Sequence, residues 1–188
     1  MVELRTLTAF RPDDLARIMP GYTSHEKYEV HQDVAPDDET IRFSLRRVAL
    51  RQPYRKQWDY DPDDVLPVGS RCVASGLSLG AFDGNLMVGI ALAEVTAWNG
   101  TLSIPYFGVA TSHRRRGIGK RLMAHLVARA QAQGLRAMVA ETQNTNVPAI
   151  RFYRKADFAF DGVDLSYYSN RDVTEGEVAI FMKRKLDA

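Results

Sequence analysis

The sequence predicts an α/β protein of the α+β type, in which helices flank a mixed, mostly antiparallel central sheet. Three observations support this prediction. Apolar runs between residues 77 and 109 are separated by tight turn signals, which favours consecutive antiparallel strands. The last of these strands, expected at residues 102–109, leads into a glycine turn and then into a segment with helical periodicity. A further apolar run at residues 137–141 follows, and this strand–helix–strand order predicts one parallel pair.

Near the N-terminus the sequence predicts two short elements and then irregular chain. Residues 2–7 alternate apolar and polar side chains imperfectly, which indicates a short strand. Pro12 suits the start of a short helix, and the two aspartates that follow it place negative charge in the first turn. Residues 21–36 are polar and lack periodicity, so we expect irregular structure there.

The segment from residue 37 to residue 70 predicts a helix and then a loop. Asp37 is the expected N-cap of this helix, and Pro53 is its expected end. The helix would carry three apolar residues on one face: Ile41, Leu45 and Val48. Residues 54–70 mix aromatic and acidic side chains with two prolines, which indicates an ordered loop.

The central strands are punctuated by two glycine turns. We expect strands at residues 77–82, 87–98 and 102–109, joined by turns at Asp83-Gly84 and Asn99-Gly100. The Asn-Gly pair is a strong signal for a type I′ hairpin. Pro105 cannot donate a ladder hydrogen bond inside its strand, so the sequence predicts a bulge or an unpaired side there. Downstream, residues 147–155 predict a short helix, and residues 160–168 and 178–183 predict a final antiparallel pair.

A glycine turn, Arg114-Arg-Arg-Gly117-Ile-Gly119, lies between the third central strand and the helix after it. That helix has one apolar face and ends near Gly134: Ile118, Leu122, Leu126 and Ala130. N–H groups at a helix start lack intrahelical acceptors, and the helix dipole is positive there, so this corner can hold an anion such as pyrophosphate. The two glycines allow the backbone to approach the ligand closely. Taken alone, the turn is also compatible with a solvated basic loop, and it matches neither a Rossmann fingerprint nor a P-loop.

A second motif makes the turn far more specific. The run Glu141-Thr-Gln-Asn-Thr-Asn146 is followed by Pro148-Ala and by Phe152-Tyr153-Arg-Lys155. Over about residues 75–184, the two motifs resemble the Arg/Gln-x-x-Gly-x-Gly/Ala turn and the Asn-x-x-Ala-x-x-x-Tyr helix of the GNAT N-acetyltransferases. The longer run, together with the tail Glu177-Val-Ala-Ile180, is similar to the streptothricin acetyltransferase branch of that family.

The resemblance implies an acyltransferase with a GNAT fold in a single domain over residues 1–188, with acetyl-CoA as co-substrate. In that fold, the strand at residues 102–109 splays from its parallel neighbour and leaves room for the pantetheine arm. The implied contacts to acetyl-CoA are Phe107, Gly108, Val109, Arg114, Arg115, Arg116, Gly117, Ile118, Gly119, Lys120, Asn146 and Tyr153. The amine would attack the thioester directly, with backbone N–H groups near residues 107–109 holding the oxyanion.

Tyr153 matches the general acid of the family. An ordinary tyrosine has a pKa of ~10 and a thiol has a pKa of ~8.5, so full proton transfer to the thiolate is uphill by roughly 2 kcal/mol. A hydrogen bond to the leaving thiolate is therefore the minimum role. Tyr153 and Asn146 each have a purely structural alternative. Tyr153 could pack in the core, and Asn146 could cap the helix that it precedes.

The general base is harder to assign. An ammonium with a pKa of ~10.4 costs roughly 4.6 kcal/mol to present as a neutral amine at pH 7. Pro105 and Tyr106 stand where the streptothricin branch tends to carry acidic residues. Glu94, on the preceding strand, is the nearest acidic candidate for the catalytic base, and an ordinary exposed strand residue is the equal alternative.

Composition narrows the partners. The 188-residue chain has a formal net charge of +2 and one basic cluster, which does not favour nucleic-acid binding. Cys72 is the single cysteine, which excludes a disulfide within the chain, and we interpret it as a buried apolar filler. None of the four histidines has metal-ligand spacing, and His113 and His125 are expected at the surface. The sequence shows no signal peptide and no apolar run long enough to span a bilayer, so we expect no membrane association and a cytoplasmic location.

The sequence therefore predicts an acetyl-CoA-dependent N-acetyltransferase that acts on a primary amine of a small cationic molecule, with the antibiotic streptothricin as the named candidate. The aromatic and acidic residues 58–64 would suit such a cation. Two alternatives stay open: a protein N-terminal or lysine acetyltransferase, and a non-catalytic acyl-CoA-binding regulatory module. The family resemblance also suggests a homodimer.

Overall fold

The computed structural model describes residues 1–36 and 39–186, and the chain divides into two compact units. The first unit comprises residues 1–21, 57–140 and the chain from 183 onward; the second comprises residues 22–56 and 141–182. In chain order the elements are β1 (Glu3–Thr6), α1 (Pro12–Ile18), β2 (Gly21–Val34), β3 (Ile41–Gln57), α2 (Pro62–Ala74), β4 (Leu79–Asp83), β5 (Leu86–Thr96), β6 (Thr101–Val109), α3 (Ile118–Ala132), β7 (Ala137–Gln143), α4 (Val147–Lys155), β8 (Ala159–Asp164), α5 (Asp172–Glu175) and β9 (Ala179–Lys185).

The first unit is organised around a sheet with the strand order β1-β4-β5-β6-β7. The pairs from β1 to β6 are antiparallel, and short connections join β4 to β5 and β5 to β6. The strands β6 and β7 are parallel, and α3 joins them. This mostly antiparallel sheet with one parallel pair and flanking helices confirms the predicted fold class. Among the helices of the described residues, none is long and apolar enough to cross a membrane.

Helices α1 and α2 bury the core of the first unit against β5. Leu15 and Ile18 of α1 have no solvent exposure and pack in one cluster with Ile90 and Leu92 of β5. Burial of an aliphatic side chain of this size stabilises the fold by ~1.5–3 kcal/mol. Cys72 of α2 lies in the same cluster, and burial raises the pKa of its thiol to about 12, which confirms its interpretation as an inert filler.

Strand β6 carries the bulge predicted at its proline. The register with β5 shifts between the pairs Leu92–Tyr106 and Glu94–Ser103. Two residues of β6, one of them Pro105, therefore oppose the single residue Ala93. In the part of the chain that the structure describes, the parallel pairing with β7 covers residues 101–103 only. Beyond the bulge, the backbone groups of β6 that face β7 thus have no partner in β7. This is the arrangement predicted for the splayed pair of strands.

The second unit has the strand order β7-β9-β8 and a separate two-stranded sheet of β2 and β3. Asn144, just after β7, is a junction of this unit. Its side-chain amide donates to the Tyr28 carbonyl of β2 at 2.7 Å, and its amide oxygen accepts from the Val178 N–H at 2.8 Å. Because Asn144 is buried and satisfied at both ends of its side chain, it holds β2 and the chain before β9 to the end of β7.

The two long strands β2 and β3 correct the predictions for residues 21–53. The irregular segment is β2, and the predicted helix is β3. Ile41 and Leu45 are four residues apart, which fits a helix face but, as an even spacing, also fits one face of a strand, and Phe43 completes the alternation. Asp37, the predicted N-cap, lies outside the described residues. Pro53 lies inside β3 rather than at a helix end, and β3 has β2 as its neighbour in a two-stranded sheet, where an unpaired side tolerates proline.

The predicted loop at residues 54–70 is also wrong, since it contains the end of β3 and the start of α2. Asp61 is the N-cap of α2, and its carboxylate accepts from the Asp63 N–H at 2.9 Å. Asp63 and Asp64 lie in the first turn, where negative charge stabilises a helix. Pro67 lies inside the helix and hides the helical pattern in the sequence.

The glycine turns differ from prediction in one case. Gly84 has a φ of 61°, in keeping with the tight turn predicted at Asp83-Gly84. At Asn99-Gly100 a short 3-10 helix, Ala97–Asn99, precedes Gly100, which has a φ of 63°, so the turn is not type I′. Elsewhere the predicted elements are confirmed, with shifted boundaries at β1, β4, β5, β6, β7, β8 and β9.

Candidate active site

The glycine turn is an exposed helix start in the first unit. α3 begins after Gly117, whose φ of 78° is left-handed and costs glycine no strain. No described atom lies within 4 Å of where a Cβ would be at Gly117, so its φ, and not crowding, explains this glycine. The first intrahelical hydrogen bond runs from the Arg121 N–H to the Gly117 carbonyl at 3.0 Å. The N–H groups of Ile118, Gly119 and Lys120 therefore have no acceptor inside the helix, as an anion site requires.

Basic side chains surround this helix start. Four of them are exposed: Arg114, Arg115, Arg116 and Lys120. Arg114 also has a structural role, because its Nε donates to the Val109 carbonyl at 3.0 Å and ties the turn to the end of β6. Arg115 has a positive φ of 60°, which is uncommon for a side chain with a Cβ. Ile118 is buried and anchors the first turn of α3.

The end of β6 is shaped by a close contact at Gly108. Phe107, Gly108 and Val109 are partly exposed. A Cβ at Gly108 would lie 2.3 Å from Cγ of Met19, so only glycine fits without displacement of that side chain. The Tyr60 hydroxyl donates to the Met19 carbonyl at 2.8 Å and holds the residue in place. This second reason for a glycine was not visible in the sequence.

Glu94 lies on β5 and faces α2. Its carboxylate lies 3.3 Å from Nε of Arg71, an ion pair in which the side chains are 28% and 59% exposed. Glu94 is therefore partly exposed and held in an ion pair. In the register of the two strands it lies opposite Ser103, whereas Ala91 lies opposite Phe107. Three residues along a strand span roughly 10 Å, so Glu94 is remote from the partly exposed end of β6.

Tyr106, at a position where an acidic residue was expected, packs with an aromatic neighbour. Its ring meets that of Tyr60 edge to face, with 6.2 Å between ring centroids. Burial raises the pKa of both phenols, which therefore stay protonated at neutral pH. Three of the acidic residues that the sequence offered as a cation site have a role at the start of α2: Asp61 is its N-cap, and Asp63 and Asp64 lie in its first turn.

Asn146 and Tyr153 lie on α4 in the second unit. Asn146 is the N-cap, and its amide oxygen accepts from the Ala149 N–H at 3.3 Å, which confirms the capping interpretation. Tyr153 is 6% exposed, and its ring lies 5.6 and 5.3 Å from the rings of Phe152 and Phe158. Burial, and then the charge of Glu141, raise the pKa of Tyr153. The Tyr153 phenol is thus a weaker acid than an ordinary tyrosine, which favours hydrogen-bond donation over full proton transfer.

Glu141, near the end of β7, is not among the predicted site residues. The Tyr168 hydroxyl donates to one oxygen of its carboxylate, and Nε2 of Gln143 donates to the Tyr168 hydroxyl at 3.0 Å. Burial raises the pKa of Glu141, the Tyr168 hydrogen bond lowers it and the nearby charge of Glu177 raises it; the net pKa is above the ordinary value. Nothing local in the sequence singles out Glu141, because Tyr168, the residue that donates to its carboxylate, comes from a distant part of the chain.

Glu177, shortly before β9, is the centre of a second arrangement, which we call the Glu177 cluster. It contains Tyr22, Tyr54, Lys56, Thr145 and Glu177. The Tyr54 hydroxyl donates to one carboxylate oxygen at 2.8 Å, and the Lys56 ammonium pairs with the other. The hydroxyls of Tyr22 and Thr145 lie 2.6 Å apart and each lies 3.1 Å from the oxygen that Tyr54 contacts. Burial opposes ionisation of Glu177, but the hydrogen bonds from Lys56 and Tyr54 outweigh it and lower the pKa of the carboxyl. Nothing in the local sequence signals this cluster, since its members come from four separate segments.

The histidines do not form a metal site. His113 is partly buried, with Nε2 3.2 Å from an Asp83 carboxylate oxygen, which corrects its predicted surface position. His125 is exposed, as predicted. Over residues 1–36 and 39–186, no three His, Cys, Asp or Glu side chains are grouped closely enough to hold a metal ion.

The glycine turn of the first unit has the features of an anion site, which is what the predicted pyrophosphate contact needs. Arg115 and Gly117, just before α3, both have a left-handed φ. The cationic side chains beside them are exposed. Successive N–H groups in such a conformation form a concave anion site, and the helix dipole adds positive potential. The partly exposed end of β6 supplies further backbone N–H groups.

Comparison with known proteins gives a consistent result. The model of the acetyltransferase (GNAT) family matches residues 36–158. The chain is 41% identical over 179 residues to a streptothricin acetyltransferase of Streptomyces lavendulae, which covers 92% of this chain and 90% of that protein. The crystal structure of a nourseothricin acetyltransferase matches with a TM-score of 0.73 at 25% identity, over 99% of each chain. A Bacillus anthracis protein solved in complex with acetyl coenzyme A has the same fold, with a TM-score of 0.72 at 23% identity over 98% of this chain and 99% of that one.

The family model covers more than half of the chain. The Streptomyces lavendulae relative is 41% identical over 92% of this chain. The glycine turn and the splayed strand pair lie inside the matched region. This chain therefore belongs to the GNAT acetyltransferase family and is an acyltransferase that uses acetyl-CoA.

Proposed function

We propose that the enzyme acetylates a primary amine of a small cationic antibiotic of the streptothricin type. The observation that carries this proposal is the 41% identity, over 92% of the chain, to a streptothricin acetyltransferase. That match extends well beyond the glycine turn and covers both units, including the segments outside the motifs that all acetyltransferases of this family share.

The proposal assigns binding of acetyl-CoA to the residues that the sequence selected. The N–H groups from Gly117 to Lys120 would hold the pyrophosphate, with Arg114, Arg115 and Arg116 adding positive charge. The backbone at residues 107–109 would donate to the acetyl oxygen, since β6 has no parallel partner there. Asn146 would use its amide N–H groups toward the co-substrate, because its amide oxygen caps α4. When bound, acetyl-CoA supplies the reactive thioester.

Tyr153 is assigned the hydrogen bond to the departing thiolate. Its raised pKa supports donation of a hydrogen bond and makes complete proton transfer less favourable than the ordinary tyrosine value would suggest. The ring is fixed by Phe152 and Phe158, so the hydroxyl is held in one direction. Preorganisation of this kind is what a donor needs in order to stabilise charge that develops during the reaction.

Glu94 is the base candidate that the sequence offered. Glu94 is engaged in an ion pair with Arg71. It also lies roughly 10 Å along β5 from Ala91, the residue opposite Phe107. Both observations argue against direct removal of the amine proton by Glu94. A role for Glu94 therefore requires a bridging water molecule. Tyr106 and Tyr60 cannot replace it, since the raised pKa of each phenol keeps it protonated.

The test is acetyl-CoA turnover with a panel of amines: streptothricin, a polyamine, an aminoglycoside and peptides with free N-terminal or lysine amines. We expect the highest kcat/KM with streptothricin. Turnover confined to peptides would replace the proposed acceptor by the protein-acetylation alternative. Turnover of the aminoglycoside or polyamine alone would support a small cationic acceptor but would contradict streptothricin as that acceptor.

Three further predictions accompany the proposal. A single domain over residues 1–188 predicts one cooperative unfolding transition, and a homodimer predicts a mass of about twice that of the monomer in sedimentation equilibrium. A cytoplasmic location is suggested by a single buried cysteine, which suits a reducing compartment.

A further inference from the structure

The two carboxylates of the second unit have opposite surroundings. In the Glu177 cluster, three hydroxyl groups and the Lys56 ammonium surround the carboxylate, and its pKa is lowered. Glu141 accepts from Tyr168 and, among the described residues, has no Lys, Arg or His within ion-pair distance. Acid–base assignments in an active site are often read from pairs of titratable groups whose environments push their pKa values apart. In this pair Glu141 is the better proton acceptor.

We propose that Glu141 is the catalytic carboxylate that takes the proton of the acceptor amine, and that Tyr168 is the residue that positions it. This inference rests on the proposed function, because it names the base of that same reaction. It gives the role to a residue of β7 and not to Glu94, the candidate that sequence reasoning offered.

The geometry around Tyr168 supports positioning. Glu141 and Gln143 are two residues apart on β7 and share one face of the strand, so both side chains reach the same hydroxyl. The main-chain N–H of Tyr168 donates to an Asp172 carboxylate oxygen at 2.8 Å, and the Ser169 hydroxyl donates to the other at 2.7 Å. These contacts hold the segment that carries Tyr168 and thereby fix one oxygen of the Glu141 carboxylate, which leaves the other for a proton donor.

The charges around Glu141 come from several elements. Tyr168 and Tyr167, which follow β8, feel its charge, as does Tyr153 of α4, and Glu177 lies close enough to repel it. Burial is the largest cause of the raised pKa of Glu141; the Tyr168 hydrogen bond lowers the pKa and the Glu177 charge raises it. The carboxylate and the proposed general acid, Tyr153, therefore share one electrostatic environment.

The chemistry balances with this assignment. The acceptor arrives as an ammonium ion, and one N–H proton passes to the Glu141 carboxylate and on to solvent. The nitrogen lone pair then forms the N–C bond to the acetyl carbon, and the C–S bond breaks with its electron pair on sulfur. The nitrogen loses a second proton as the thiolate gains one, so the products are the amide, the free thiol of CoA and one released proton.

The decisive variant is Glu141→Gln, compared with Glu177→Gln in the same unit. Glutamine keeps the size of Glu141 and an oxygen for the Tyr168 hydrogen bond but cannot accept a proton. We expect kcat/KM to fall by ~10²–10⁴-fold, with acetyl-CoA affinity by calorimetry unchanged, because a base contributes at this level and does not bind the co-substrate. Glu177→Gln should keep an acid limb in the pH profile of kcat/KM, since Glu141 is still present.

Two further shifts separate a base from a merely structural residue. Tyr168→Phe removes a hydrogen bond that lowers the pKa of Glu141, so the acid limb should move to higher pH. Glu177→Gln removes a charge that raises this pKa, so the limb should move to lower pH. The titration of the acceptor amine is the same in every variant, and opposite shifts therefore report the protein group. Shifts in the same direction, or a Glu141→Gln profile that overlays that of the parent, would overturn the assignment.

A direct titration decides the matter independently of turnover. In a ¹³C carboxyl NMR titration of the full chain, the glutamate signal that disappears in Glu141→Gln should titrate above the ordinary glutamate range. A signal at or below that range would overturn the inference. If the parent protein turns over no amine, the proposed function fails, and this titration still shows whether Glu141 has the proton affinity of a base.

Discussion

The glycine turn of the first unit and the carboxylates of the second unit differ in how they are built. The turn consists of consecutive residues and offers backbone N–H groups, and its conformation is set by the left-handed φ of Arg115 and Gly117. The carboxylates depend on side chains from separate segments: the partner of Glu141 follows β8, and those of Glu177 come from β2, β3 and the chain after β7. A local site can be recognised in the sequence and tolerates changes elsewhere, whereas a site built from distant side chains cannot be recognised and depends on each partner.

The largest expected effect tests the side-chain site at Tyr153. Tyr153→Phe should lower kcat by ~10²–10⁴-fold and leave acetyl-CoA affinity nearly unchanged, because it removes only a hydroxyl used when the thiolate departs. Steady-state kinetics and calorimetry measure the two quantities. The aromatic packing with Phe152 and Phe158 is kept, so the melting temperature serves as the control. Full activity in the variant would leave Tyr153 with a packing role alone.

The backbone site is tested by Gly119→Asp, which adds a carboxylate where the helix dipole is positive and an anion should bind. We expect acetyl-CoA affinity to fall by about 30-fold, equivalent to ~2 kcal/mol, in a calorimetric titration. Gly119→Asn adds the same bulk without charge and should weaken binding less. Gly134→Asp places the charge at the other end of α3, at a glycine with a φ of 67°, and should leave affinity unchanged. Equal affinities in a folded Gly119→Asp protein would remove the pyrophosphate from this turn.

The Glu177 cluster predicts an acid-sensitive stability. Its carboxyl has a pKa below the unfolded value of ~4.3, so its contribution is present above that pH and is lost as the pH falls through the folded pKa. Glu177→Gln should cost roughly 1–3 kcal/mol of unfolding free energy at pH 7, and less below pH ~4. Urea unfolding at a series of pH values measures this difference. Glu175→Gln is the control, because Glu175 is 55% exposed in a surface pair with Arg171 and should change stability by ~0.5 kcal/mol or less. A pH-independent loss at Glu177 would contradict the role of its charge.

The smallest effect is expected at Glu94. Glu94→Gln removes an ion pair whose arginine is 59% exposed, and such pairs contribute ~0.2–1 kcal/mol. With Glu141 as the base, the pH profile of kcat/KM for Glu94→Gln should overlay that of the parent. Loss or displacement of the acid limb in this variant would return the role of base to Glu94, acting through water.

The parts of the fold that could be predicted share one property. β5, β6 and α3 are joined by short connections, and their signals lie within a few residues: Pro105 for the bulge, Gly84 for a turn and Gly134 for a helix end. β2 and β3 could not be predicted, because their exposed faces carry polar residues and the spacing of Ile41 and Leu45 fits a helix and a strand equally. The aspartates at the start of α2 were read as a loop since Pro67 interrupts the helical pattern.

The sequence by itself determined the glycine turn, the bulged strand beside it and, through resemblance, the family, because consecutive residues set backbone conformation and expose backbone N–H groups wherever the chain folds. Only the tertiary structure decided which partner each carboxylate has. Glu94, Glu141 and Glu177 are the same residue type, and nothing local separates them. Arg71, Tyr168 and Lys56 do so, and each reaches its partner from a distant part of the chain. Burial and hydrogen-bond donors set a pKa, and both exist only once the strands have paired.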